Sequence, residues 1–183
     1  MLSEIEHSRR AVRNPSLAGL IGRHLAAENT QDLPGTLATL HPDCRFEDLA
    51  TGQTWRGRDG AAAHYRQWWT TFDVTVKRGP GQSSAWTADD GYIAEATWHG
   101  KHVGRFLGIA PTGRTIVQPF VVVLSFKDGL MLSERFHYDL ASLLRQIGAE
   151  PIPALTGLQH RAAPNRRETP SSARPSASSR ASR

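Results

Sequence analysis

The chain has 183 residues and a formal charge of +5. That length holds one core and is too short for two good ones. The basic balance would suggest a nucleic-acid binder, but six Arg and two Glu lie in residues 150–183. Taking these from 22 basic and 17 acidic residues leaves 16 against 15, so nucleic acid is not an expected partner of the folded part.

One cysteine, Cys44, excludes an intrachain disulfide and fits a reducing, cytoplasmic setting. No apolar run nears the ~18 residues of a membrane span. Residues 1–15 are polar and close on Asn14-Pro15, which reads as a flexible leader. Ser16 then caps a helix to about Glu28, with Leu17, Leu20, Ile21, His24 and Leu25 at helical spacing. Asp32 caps a second, short helix that carries Leu37 and Leu40 and ends at His41-Pro42.

Arg45–Leu49 is a short strand, and a turn-rich stretch follows it. A third helix covers about Asp59 to Phe72, with Ala61, Tyr65, Trp68, Trp69 and Phe72 on one broad side. Strands are expected at 74–77, 84–87, 92–99, 115–126 and 130–138. Turns at Gly79–Gly81, Asp89-Asp90-Gly91 and Lys127-Asp128-Gly129 separate them, and a long loop spans 100–113. Asp139 opens a last helix that Gly148 ends. Segregated helices and hairpin-linked strands argue an α+β domain over 16–148: a cone-shaped, curved antiparallel sheet wrapped by helices. From residue 149 on, Pro, Ser, Ala and Arg dominate and aromatics vanish. That segment buries too little apolar area to offset ordering entropy, so a disordered tail is expected.

Side chains alternate by face along a strand. Leu130–Tyr138 therefore puts Leu130, Leu132, Glu134, Phe136 and Tyr138 in one apolar row. A carboxyl in such a row is paired, protonated or used, which makes Glu134 the first catalytic candidate. Gln118 is the one polar member of the inward row of 115–126 and is able to donate to a substrate oxygen. Asp48 shares a face with Phe46 and is a second carboxylate, or else a turn cap before Thr51-Gly52. Two carboxyls at different depths suit proton abstraction beside a carbonyl. His137 and Asp139, with Arg135, form a rival set on the opposite face, where Asp139 also serves as a helix cap. Tyr65, Trp68, Trp98, Phe120, Phe136 and Tyr138 are candidate pocket walls. The eight His show no zinc-ligand spacing, and no dinucleotide or phosphate loop is present, so no metal or cofactor is expected.

The segments GKHVGRFLGIAPTGR and FKDGLMLSERFHYDLASLLRQIG resemble the SnoaL-like polyketide cyclase family, over about residues 16–148. The resemblance implies a nuclear-transport-factor-2-like fold, a cystatin-like α+β barrel, usually as a homo-oligomer. It implies a hydrophobic polyketide-type substrate and aldol ring closure by an acid/base carboxylate without a cofactor. The family's catalytic aspartate falls on Glu134, its oxyanion-side Gln on Gln118, and its accompanying His on Phe120. The segment RFEDLATGQTWRGRDGAAAHY resembles the part of ketosteroid isomerases that holds their general base, which would be Asp48. Their acidic oxyanion donor would fall on Val122. Dehydratases, epoxide hydrolases and non-catalytic binding modules share this fold and stand as alternatives.

Overall fold

A computed structural model describes residues 15–149. Pro15 and Ala149 apart, the expected leader and tail lie outside the described residues. Helix α1 (Pro15–Asn29) starts on a proline, whose missing N–H costs nothing at a helix start. Helix α2 (Leu33–Ala38) is capped by Asp32, whose carboxylate accepts from the Gly35 N–H. Then come β1 (Leu40–Asp48), β2 (Gln53–Arg56), α3 (Gly57–Phe72), β3 (Thr75–Lys77), β4 (Ser84–Trp86), β5 (Tyr92–Lys101), β6 (Thr115–Lys127), β7 (Leu130–Tyr138) and α4 (Leu140–Ile147).

The seven strands form one sheet in the order β2-β1-β7-β6-β5-β3, with β4 also on β5. The sheet does not close into a barrel. It is mixed rather than wholly antiparallel, because β1 runs parallel to β7 and pairs Phe46 with Glu134 and Asp48 with Phe136. Three local departures from the sequence reading accompany this. The helix expected to reach Leu40 stops at Ala38, and His41-Pro42 lies inside β1. The stretch read as turns contains β2, which sets Trp55 opposite Phe46. A bulge opposite Ser125 and Phe126 leaves Leu132 as the extra residue of β7. Upstream of the bulge the inward residue is Met131, 1 % exposed, not Leu132.

Helix α3 lies on the sheet and supplies Ala61, Tyr65, Trp68, Trp69 and Phe72 to the core. Tyr65 packs edge-on against Phe46 of β1, Phe72 against Phe106, and Trp68 on Trp98 of β5 with ring centroids 4.6 Å apart. Burying each such aromatic contributes about 1.5–3 kcal/mol. The loop 102–114 returns to α3, where Val103 and Gly104 donate to the Thr71 carbonyl at 2.8 and 2.9 Å. Gly104 is required there, since a Cβ would collide with the Thr70 carbonyl. Edge strand β3 is held from the helix side: Asn29 donates to the Val76 carbonyl and accepts from its N–H, at 2.9 and 2.6 Å. This clamp fixes α1 across the open end of the sheet, and the space between them is the site. Among the described residues no helix is long and apolar enough to cross a membrane.

Candidate functional site

A cavity of about 250 Å³ lies between α1 and the inner face of the sheet. Its floor is Tyr92, Ala94, Ala96 and Trp98 of β5, with Phe120, Val122 and Leu124 of β6. Ala94 and Ala96 make the room, because the residues flanking them in that row are aromatic. Ile21, Leu25, Ala18 and Gly22 of α1 form the roof. Small-molecule pockets usually measure about 300–1,000 Å³. A ligand held here is therefore small, or leaves part of itself outside the mouth.

Three ionisable groups of this cavity, His24, Glu28 and Glu134, converge at one end, and Arg78 lines it elsewhere. Glu134 is 4 % exposed, and its Oε1 lies 3.0 Å from Nε2 of His24. The Tyr65 hydroxyl donates to the same oxygen at 3.2 Å and lies 3.0 Å from His24 Nε2. Glu28, one helical turn beyond His24, brings its carboxyl to 4.0 Å of the same nitrogen.

The other imidazole nitrogen fixes the chemistry. Thr39 donates its hydroxyl to the Thr36 carbonyl at 2.6 Å. Its oxygen is then the acceptor for His24 Nδ1, also at 2.6 Å. A hydroxyl has one proton to give, so Nδ1 carries hydrogen and Nε2 is the atom that gains and loses a proton. Burial works against a charge on His24, but Glu134, by charge and hydrogen bond, and then Glu28 outweigh it and raise its pKa above the ordinary 6.5. Burial raises Glu28 to about 7, with His24 opposing and Glu134 reinforcing the shift. Burial first, and then the Glu134 and Glu28 charges, hold Tyr65 well above the usual phenol value, so it remains a donor. Two carboxyls and an imidazole that meet in an apolar cavity are groups able to exchange a proton.

The other expected site residues fall in different places. Phe120, Phe136 and Trp98 line the cavity; Trp98 and Phe120 stack 4.2 Å apart. Tyr65 meets the site through its hydroxyl, and Trp68 belongs to the core behind Trp98. Asp48 is buried, at 1 %, and turned inward, but its carboxylate is fully engaged. Oδ1 accepts from the N–H groups of Ala50 and Thr51, and Oδ2 from the Tyr138 hydroxyl at 2.9 Å. Gln118 is equally buried, but it bonds Gln146 of α4 and the Pro119 carbonyl, six strand residues from the neighbour of Glu134. That is about 20 Å along the strand, so Gln118 and Glu134 are not brought together.

His137 is exposed on the opposite face of the sheet, beside Pro119 and Val121. Asp139 caps α4 by accepting from the Ser142 N–H at 3.0 Å. Neither reaches the cavity, because the strand period that turns Glu134 inward turns both of them outward.

The sequence reading passed over His24 and Glu28. Their signal was present: a histidine in the apolar stripe of the first helix, with a carboxylate four residues on.

An open, curved sheet with helices on one face is the ketosteroid isomerase-like or nuclear-transport-factor-2-like fold. The chain belongs to the SnoaL-like polyketide cyclase family, whose profile matches residues 19–147. TsrD from Streptomyces laurentii is 29 % identical, with 76 % of this chain and 99 % of that one covered and a TM-score of 0.64. A proposed polyketide cyclase from Pseudomonas putida is 23 % identical over 70 % of this chain and 95 % of its own, TM-score 0.62. A Catenulispora acidiphila protein with a ketosteroid isomerase-like fold, in complex with trimethylamine, is 19 % identical over 72 % and 93 %, TM-score 0.60. Among proteins with curated descriptions none matches this chain.

Proposed function

We propose that this protein is a cyclase or isomerase that moves a proton beside a carbonyl of a hydrophobic, polyketide-type molecule, with Glu134 and His24 as its acid–base pair. The observation that carries this reading is the 3.0 Å contact between the two, at the wall of an otherwise apolar cavity.

The Glu134 carboxylate removes the proton, and the C–H electron pair passes into an enolate. The enolate oxygen accepts a hydrogen bond from His24 Nε2–H. In ring closure the nucleophilic carbon attacks a second carbonyl of the same molecule. One C–C bond forms, and the new alkoxide takes back the proton that Glu134 holds. In isomerisation that proton returns to a different carbon. Either way the product has the mass of the substrate, and the chemistry calls for no cofactor. The carboxylate is a Glu where the family expects Asp, and its partner imidazole comes from α1 rather than from position 120, where Phe120 stands.

Purified protein incubated with an extract of a strain lacking the gene tests this. In D₂O the expected product is an isomer of a substrate in that extract; isomerisation leaves deuterium on the reprotonated carbon, and ring closure leaves it only on the exchangeable new hydroxyl. A product lighter by one water would replace this reading with dehydration. No converted compound would remove the catalytic reading and leave a binding module of the same fold.

A further inference from the structure

Arg78 is the one charged side chain at the cavity that has no charged partner. Counting along β3, Val76 points inward, so Arg78, two residues on, leaves the strand on the same side, and it lines the cavity. Arg78 is exposed, so its guanidinium stands at the mouth of the cavity, beside the apolar floor. Its guanidinium donates to the Glu95 carbonyl at 3.2 Å, to the Gln82 carbonyl at 3.2 Å, and at the limit of a hydrogen bond, 3.5 Å, to the Tyr92 hydroxyl. All three partners are neutral oxygens. Among the described residues no carboxylate lies within ion-pairing distance of it. The His24 charge is matched by Glu134, whereas no carboxylate among the described residues matches the Arg78 charge.

From this we infer that the substrate carries an acidic group, and that Arg78 receives it at the mouth of the cavity. This rests on the proposed function and adds the class of molecule. The spacing follows from sheet register. Glu134 stands opposite Leu124, and Leu124 opposite Tyr92. Two strand spacings separate Glu134 from Tyr92, about 10 Å, and the Arg78 guanidinium rests on the Tyr92 hydroxyl. The ligand is thus an apolar carbonyl compound whose carboxylate or other anionic group lies at the mouth, two strands across the sheet from the carbon that Glu134 deprotonates. Arginine suits this role because its fork keeps spare donors for a second, charged acceptor after three neutral bonds have fixed its plane.

The rival account is that Arg78 only braces the Gly79–Gly81 turn, since Gln82 also accepts from the Gly79 N–H. Two fluorescent probes separate these accounts: 8-anilinonaphthalene-1-sulfonate, and N-phenyl-1-naphthylamine, the same skeleton without the sulfonate. Both are titrated into the full chain and into Arg78→Gln. The expected result is a preference for the sulfonate in the native protein. In Arg78→Gln the sulfonate should weaken about fivefold, the affinity equivalent of one exposed ion pair, while the neutral probe is unchanged. Equal affinities in both proteins, or equal weakening of both probes, would overturn the inference and leave the cavity reading standing. Failure of the neutral probe to bind the native protein at all would remove the apolar-cavity reading and this inference with it.

Discussion

His24 and Glu134 approach to 3.0 Å from opposite walls of the cavity, one from the first helix and the other from the last strand. More than a hundred residues of chain separate them, and both are buried. Glu134 therefore acts on the protonation of His24, which makes the pair testable without any substrate. Burial lowers the pKa of His24, and Glu134, with a smaller share from Glu28, raises it. In the native protein the His24 ring should titrate above 6.5. In Glu134→Gln, where burial remains and the charge is gone, the midpoint should fall below 6.5. NMR titration of the ring protons measures both, and an unchanged midpoint would break the coupling.

Stability should decline on both sides of a middle pH, for separate reasons. His64 is 3 % exposed, and its Nδ1 has no partner. Burial lowers its pKa to about 3. A depressed base contributes stability above its unfolded value of 6.5 that is lost as pH falls toward 3, at up to about 1.4 kcal/mol per pH unit. Glu28, raised to about 7, acts in the other direction: its share is present below its ordinary value of 4.5 and is lost as pH rises through 7. His24 is also raised, so its share is present below 6.5 and lost as pH rises through its folded value. Denaturant midpoints from pH 4 to 9 should show both limbs, and His64→Phe should remove most of the acid limb.

Asp48 and Tyr138 tie the end of β1 to the end of β7. Tyr138→Phe leaves a buried carboxylate oxygen without its donor and should cost about 1–3 kcal/mol. Because Asp48 lies outside the cavity lining, turnover per folded molecule should change little. A large loss of turnover with unchanged stability would move Asp48 into the chemistry.

Trp98 stacks on Phe120, packs at a tilt on Trp68, and forms part of the cavity floor. Trp98→Ala joins a new void to an existing one, so little collapse is available to offset it. The expected cost is about 3–5 kcal/mol, read from urea denaturation. Affinity for N-phenyl-1-naphthylamine should change at the same time.

Much of this was legible because period-2 alternation is a strong signal on long strands. It turned Glu134, Gln118 and Asp48 inward, and all three are buried. What alternation cannot carry is position along the strand and the identity of the partner. Gln118 is inward but six residues too far along, and Asp48 is inward but engaged by Tyr138 and two backbone N–H groups. The Leu132 bulge also breaks the period, which hid Met131. His24 escaped notice because a histidine in an apolar helical stripe looks like any core position until the strand facing it is known. The parallel pairing of β1 with β7 has no local signature, as it joins residues almost ninety apart.

The most direct test of the acid–base pair is the rate of Glu134→Gln on the isomer-forming reaction, with circular dichroism and the denaturant midpoint measured on the same sample. The amide keeps the shape of the carboxyl and cannot take up the proton. Loss of at least about a hundredfold in rate, with the fold retained, is the predicted result. A native rate from the folded variant would contradict the account and leave Glu134 as only a buried partner for His24.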